Sequence, residues 1–253
     1  MDNRNRKILK SISILIPAKD EEETIGAVLS DVNRETQKMP EFLWEVIVIA
    51  DHCIDNTATI AKKNGAKVIT NINQAGKGNA LISGFEIATG DIIVMMDADG
   101  SHIADDIKKF IPLLIDEHVG LVIGSRCLGG SGEYTVIRSL GNVIFTAFIN
   151  ILFNLKLTDG LNGFKAFKKD IVKNHKYSCK SFEIEVELIY NTLLENQEIF
   201  EVASYERSRA GGEMKSRAII HGSRFLWCII SKGIKYNLHK FFHNSRGVLH
   251  AFF

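Results

Sequence analysis

Short apolar runs of strand length recur through the first 125 residues, each followed by a stretch of helical length. Ser13-Ile14-Leu15-Ile16-Pro17, Trp44-Glu45-Val46-Ile47-Val48-Ile49-Ala50, Ala66-Lys67-Val68-Ile69, Asp91-Ile92-Ile93-Val94-Met95-Met96 and Gly120-Leu121-Val122-Ile123-Gly124 read as five strands. Between them the pattern predicts helices over 22–32, 57–63, 79–88 and 105–116. Asn56 is placed to cap the second helix and Asn64-Gly65 to end it. Strands this uniformly aliphatic are buried on both faces. The alternation therefore specifies the α/β class: a mostly parallel sheet flanked by helices, with right-handed crossovers.

After Arg126 the character changes. Gly129-Gly130-Ser131-Gly132 is a loop, and 136–157 is apolar but interrupted by Arg138, Asn142, Asn150 and Asn154. Its clean portion, 143–155, falls short of the roughly 20 apolar residues that cross a bilayer, so it reads as an amphipathic or buried helix. A strand over 164–167, a helix over 182–196, a strand over 200–203 and a helix over 217–237 follow. The expected organisation is one α/β domain over 1–216 and a basic amphipathic C-terminal helical tail over 217–253.

Charge supports that division. The net charge of +1 conceals nine Lys or Arg against Glu213 alone in 207–253, a balance of +8, while 1–206 carries −7. A basic tail suits an anionic partner, and its mixture of Trp227 and Phe225 with cations suits a membrane interface as well as a core helix with a solvated face. The acidic body argues against a nucleic-acid partner. Cys53, Cys127, Cys179 and Cys228 form no CxxC pair, so reduced thiols are expected rather than a zinc site or a disulfide framework. The basic start is followed by a short strand and an acidic turn, which predicts no signal peptide, no transmembrane helix and a cytoplasmic location.

Function concentrates at strand ends. Asp97-Ala98-Asp99 closes the fourth strand, where ligands of open α/β sheets bind. Two carboxylates this close repel, and a divalent metal bridging to phosphates is the simplest compensation. Pro17-Ala18-Lys19-Asp20-Glu21, Asp51 and Ser125-Arg126 end other strands. Gly76-Lys77-Gly78 adds a loop that lets backbone approach phosphate. No P-loop and no GxGxxG fingerprint is present.

The succession Ile14-Leu15-Ile16-Pro17-Ala18-Lys19-Asp20-Glu21, Val48-Ile49-Ala50-Asp51, Gly76-Lys77-Gly78 and Asp97-Ala98-Asp99 resembles the GT-A fold glycosyltransferases of family 2. Gly124-Ser125-Arg126, Thr158-Asp159, Asn162-Gly163-Phe164-Lys165-Ala166-Phe167, Phe182-Glu183-Ile184-Glu185 and Arg209-Ala210-Gly211-Gly212-Glu213-Met214-Lys215 resemble the dolichyl-phosphate mannose synthase branch. The resemblance runs from about Ile12 to Lys235. It implies that Pro17, Ala18, Glu21 and Asp51 hold the nucleoside, with Lys77 and Ala98 also at the donor. Asp97 and Asp99 would hold Mg²⁺ or Mn²⁺. Ser101, standing where some relatives carry a metal-assisting glutamine, is a third candidate ligand. Arg126 and Arg138 would grip an acceptor phosphate, and Arg209 with Lys215 the donor phosphates.

The implied reaction moves a hexose or N-acetylhexosamine, with inversion, from GDP-mannose, UDP-glucose or UDP-GlcNAc to dolichyl or polyprenyl phosphate at a cytoplasmic membrane face. A membrane-spanning partner subunit is a further expectation. An anionic phosphate acceptor needs no general base, so Glu183, Glu185 and Glu187 are not nominated as one. His102 is read as a capping or packing residue beside the acids or as a ligand. Ala50-Asp51-His52-Cys53-Ile54-Asp55-Asn56-Thr57 departs from the family's common D-D-G-S-x-D-G-T, which turns the expectation toward a UDP sugar. Two alternatives stay open: a family 2 enzyme acting on a sugar hydroxyl, although no Gln-x-x-Arg-Trp segment is present, and a catalytically silent nucleotide-sugar-binding subunit.

Overall fold

A computed structural model describes residues 11–132, 136–211 and 218–249, with side chains described for 11–132, 139–211 and 222–242. Seven strands form one sheet: β1 (Ser11–Ala18), β2 (Leu43–Ala50), β3 (Lys67–Thr70), β4 (Ile92–Met95), β5 (Val119–Ser125), β6 (Lys165–Lys168) and β7 (Glu198–Ala203). Their spatial order is β3-β2-β1-β4-β6-β5-β7. All neighbours run parallel except β6, which lies antiparallel to both β4 and β5.

The sheet is as parallel as its strand chemistry requires. Along β1 the pleat sends Ile12, Ile14 and Ile16 to one face and Leu15 to the other, all buried. On the first face lie α1 (Ile25–Thr36), α2 (Thr57–Lys63) and α4 (Ile107–Leu114). On the second lie α3 (Lys77–Ile87), α6 (Val136–Phe153), α8 (Ile184–Leu194) and α9 (Ala218–Leu249). Short turns of helix, α5 (Arg126–Gly129) and α7 (Asp170–Lys173), follow β5 and β6. Through Cys228 and Ile229, α9 belongs to the second core and packs against α6 and α8.

Two local expectations need correction. Asn56 makes no capping hydrogen bond at α2. Asp55 takes that role, Oδ1 accepting from the Thr57 amide at 2.9 Å, while the Asn56 amide and side chain both donate to Glu22. Lys77 does not precede its helix but is its first residue, after Gly76 at φ 151°.

Strand order fixes where a ligand can sit. From β1 the chain steps outward through β2 to β3, then returns to the opposite side of β1 as β4. The crevice beyond the carboxyl ends of β1 and β4 is thus the topological switch point. Pro17-Ala18 and Asp97-Ala98-Asp99 emerge at this point.

Candidate active site

A cavity of about 940 Å³ opens at that crevice. One wall comes from strand ends and the turns after them: Pro17, Ala18, Glu21, Asp51, Asp97, Ala98 and Asp99. Gly76, Lys77 and Asn79 at the start of α3 form the floor. The opposite wall is the segment 178–183 with Arg224, Trp227, Cys228, Ser231, Lys232 and Lys235 of α9.

Each acid of the pair is neutralised by a cation from elsewhere in the chain. Lys77 Nζ stands 2.8 Å from Asp97 Oδ1, and Arg209 Nη2 stands 2.9 Å from Asp99 Oδ2. Burial raises the Asp97 carboxyl, but the charge and hydrogen bond of Lys77 pull it further down, well below the usual carboxylate range. Burial lowers the Lys77 ammonium, and Asp97 with Glu185 more than reverses this. Asp99 Oδ1 accepts from both the amide and the hydroxyl of Ser101, at 3.0 and 2.7 Å. Ser101 therefore orients Asp99 from behind. His102 accepts the Asp97 amide proton at Nδ1 and stacks on Phe164 at 4.8 Å, the packing role.

The neighbouring strand ends are held as tightly. Asp51, 4% exposed, accepts from Asn71 Nδ2 at 2.7 Å and from the Gly76 amide at 2.8 Å, which ties the end of β2 to the loop before α3. The Glu21 amide donates to Thr57 Oγ1, and Thr24 Oγ1 donates to Ala98 O, joining the first turn to the acid pair. Gly76 and Gly78 admit the 178–183 segment: a Cβ on Gly76 would lie 2.5 Å from Lys180 O, and one on Gly78 would overlap Cys179 O.

The basic residues divide into three groups. Arg209 joins the acids, its Nη1 also 3.7 Å from Glu21. Arg126 lies outside the cavity lining, forked onto Asp159 through Nε at 2.7 Å and Nη2 at 2.9 Å. Arg138 sits on α6 with its side chain outside the described residues, and Lys215 lies outside them altogether.

Sequence reasoning missed the α9 contribution and the buried charge behind Lys77. Residues 224, 228, 231 and 235 recur at helical spacing, so one stripe of α9 faces the cavity; that periodicity was the available signal. Glu185, 2% exposed, is paired with fully buried Lys165 at 2.8 Å. Glu187 accepts from the amides of Ser178 and Cys179 and pairs with Lys232. Cys179 and Cys228 are free thiols with sulfurs 3.4 Å apart.

The donor set fits a hard divalent ion. Asp97 and Asp99 line the cavity with carboxylate oxygens, and oxygen ligands of this kind select Mg²⁺ or Mn²⁺ over thiophilic metals. Asp20, Cys53 and Asp55 also bring ligand atoms within 4.8 Å of one another. Those carboxylates, however, already accept from the amides of Ile54, Glu22 and Thr57 and shape the loop.

Known proteins share this architecture. Over 200 residues the chain is 26% identical to the dolichyl-phosphate hexose transferase of Haloferax volcanii, covering 79% of this chain and 84% of that protein. It is 28% identical to the dolichol-phosphate mannosyltransferase of Pyrococcus furiosus over 85% of this chain, yet spans only 62% of that protein's length. Among solved structures, glucosyl-3-phosphoglycerate synthase of Mycobacterium tuberculosis, crystallised with Mn²⁺, UDP and glucosyl-3-phosphoglycerate, superimposes with a TM-score of 0.71. It is 21% identical, and the match covers 90% of this chain and 81% of that one. No described helix is long and apolar enough to cross a membrane. The family model described as glycosyl transferase family 2 matches residues 13–176, and with the GT-A sheet and its acid pair in place the chain belongs to the family 2 glycosyltransferases.

Proposed function

We propose that this chain transfers a hexose or N-acetylhexosamine, with inversion, from a nucleotide diphosphate sugar to dolichyl or polyprenyl phosphate. The observation that carries the reading is the Asp97/Asp99 pair at the sheet's switch point, each acid matched to a cation, in a cavity that runs on to an amphipathic helix. Pro17, Ala18, Glu21 and Asp51 bound the space for the nucleoside. Asp97 and Asp99 would hold Mg²⁺ or Mn²⁺, whose role is to neutralise the diphosphate as it leaves.

Departure of a nucleoside diphosphate develops negative charge, and preorganised cations stabilise it most effectively where water is excluded. Arg209 stands beside Asp99 for that task, with Lys77 across from it. Lys215 is assigned to the same phosphates. The acceptor oxygen is already anionic, so no side chain need remove a proton from it; basic groups need only orient its oxygens. Arg126 and Arg138 are assigned that role.

Exposed apolar side chains support the lipid acceptor. Parallel helices α6 and α9 expose Leu140, Val143 and Ile151 on one and Trp227, Leu238 and Phe241 on the other, an apolar surface next to Lys235 and Lys240. Such composition suits a peripheral position on an anionic lipid surface. Names among the relatives point to the same acceptor class.

The test is direct. Purified protein with Mn²⁺ is offered labelled UDP-glucose, UDP-GlcNAc and GDP-mannose, each with polyprenyl phosphate or with a soluble phosphorylated acceptor. Label entering an organic-extractable, acid-labile product with one donor supports the proposal. Label transferred solely to the soluble acceptor, or to a sugar hydroxyl, overturns it.

A further inference from the structure

Lys77 lies between two carboxylates that belong to different parts of the fold. Its Nζ is 2.8 Å from Asp97 Oδ1, at the end of β4, and 3.3 Å from Glu185 Oε1, on α8. The two contacts are unequal. Asp97 receives a close ion pair, whereas Glu185 Oε1 is buried and accepts no hydrogen bond among the described residues. A buried carboxylate oxygen left in this condition is costly.

Glu185 cannot move to improve that contact. Its other oxygen is held at 2.8 Å by Lys165, which is fully buried and also donates to the carbonyls of Gly160 and Asn162. The ammonium, by contrast, needs to travel only about half an ångström to bring 3.3 Å to hydrogen-bond length. Gly163 keeps the ammonium's surroundings uncrowded: a Cβ there would stand 2.6 Å from Lys77 Nζ and 3.2 Å from Asp97 Oδ2.

We propose that Lys77 and Glu185 form a two-position counter-ion latch, in which Lys77 is the resident cation of Asp97 and yields it to a divalent ion by moving onto Glu185. The inference rests on Asp97 and Asp99 being cation ligands, as argued above. A metal ion and an ammonium repel when they share one carboxylate, so occupation of Asp97 by the metal drives Lys77 away. Glu185, buried and anchored by Lys165, gives it a second seat behind the cavity. Glu185 is thus a positioning residue: it acts on the metal site through Lys77.

Equilibrium binding of Mn²⁺ alone, followed by the electron paramagnetic resonance signal of the free ion, tests this in wild type, Lys77→Gln, Glu185→Gln and the double variant, with circular dichroism to confirm folding. Removing the competing ammonium should tighten Mn²⁺ about tenfold, and removing its second seat should weaken Mn²⁺ about tenfold, the size of one close charge contact in partly screened surroundings. The decisive measurement is the double variant. If Glu185 acts through Lys77, the double variant binds Mn²⁺ as Lys77→Gln does; if the two charges act independently through space, the effects add and the latch is overturned. Lys77→Gln that binds no tighter than wild type overturns it too, and this arm stands even if Glu185→Gln fails to fold. Wild-type Mn²⁺ binding that survives Asp99→Asn unchanged would place the ion elsewhere and remove the underlying metal assignment as well.

Discussion

Arg126 grips Asp159 with a two-pronged fork: Nε to Oδ2 at 2.7 Å and Nη2 to Oδ1 at 2.9 Å, while the Arg126 amide also donates to Oδ2 at 3.0 Å. Asp159 is fully buried and Asn142 Nδ2 adds another donor at 2.9 Å. The pair ties the start of α5 to the turn after α6. Burial raises the Asp159 carboxyl, but hydrogen bonds and charge from Arg126 more than offset it, leaving the group below its ordinary value.

A carboxyl depressed in the folded state contributes stability above its unfolded pKa, about 3.9, and that contribution is lost as pH falls through the lower folded value. Urea midpoints measured from pH 7 to pH 3 should therefore fall in wild type below about pH 4. In Asp159→Asn the fall over that interval should be shallower. Asp159→Ala, which removes the two-pronged partner of Arg126 and leaves its 3.3 Å contact with Glu206, should cost about 3 kcal/mol at pH 7. An Asp159→Asn curve parallel to wild type would show that this pair plays no part in acid sensitivity.

Asp99→Asn is the sharpest test of the acid pair. The amide keeps the shape and its oxygen can still meet Ser101, but Arg209 loses its 2.9 Å carboxylate partner, so the fold should persist with a thermal midpoint lowered by several degrees. Turnover should fall by at least about a hundredfold, as expected when a principal charge-stabilising group is lost. Undiminished kcat with Mn²⁺ present would exclude Asp99 from the chemistry.

The strands, their layering and the acid pair were legible because hydrophobic period and strand-end position are local properties of the chain. Ile14-Leu15-Ile16 can be read as a doubly buried strand without knowing its neighbours. Other features depend on pairings far apart in sequence. That β6, Lys165–Lys168 where the sequence pattern predicts 164–167, inserts antiparallel between β4 and β5 depends on a long connection, which leaves no trace in the strand's own residues. Glu185 reads as an ordinary helix acid; its meaning comes from Lys165, twenty residues earlier, and from Lys77 on α3. Arg126, ending a strand beside other polar ends, is expected on the ligand, yet the buried Asp159 engages it first.

Gly78 makes a separate prediction about the cavity wall. A Cβ there would overlap Cys179 O and lie 2.6 Å from Lys180 C and 2.8 Å from Ser181 N, all backbone atoms. Nothing flexible can yield, so Gly78→Ala must displace the 178–183 segment or the start of α3. We expect a loss of about 2 kcal/mol or more from overpacking, and a several-fold rise in the donor KM because Lys77 and Asn79 shift with the helix. Gly65→Ala, with nothing within 4 Å of its Cβ but φ at +83°, separates local backbone strain from segment displacement: it should lose stability without changing KM.

Trp227 offers a spectroscopic reading of membrane contact. It is one of two tryptophans; its side chain is 73% exposed on α9, while Trp44 is half-buried and donates to Met39 O. If the apolar surface of α6 and α9 rests on lipid, adding vesicles that contain anionic phospholipid should shift the emission to the blue, and Trp227→Phe should abolish that shift. Leu238→Ser with Phe241→Ser removes two exposed apolar side chains from the same helix and should weaken vesicle co-sedimentation by roughly tenfold or more, given about 1.5–3 kcal/mol per large apolar side chain withdrawn from water. Raising salt should weaken binding as well, because Lys235 and Lys240 contribute through screened charge. Emission indifferent to vesicles at low salt would mean that these helices face a protein partner or the aqueous phase, and that the lipid acceptor reaches the cavity by another route.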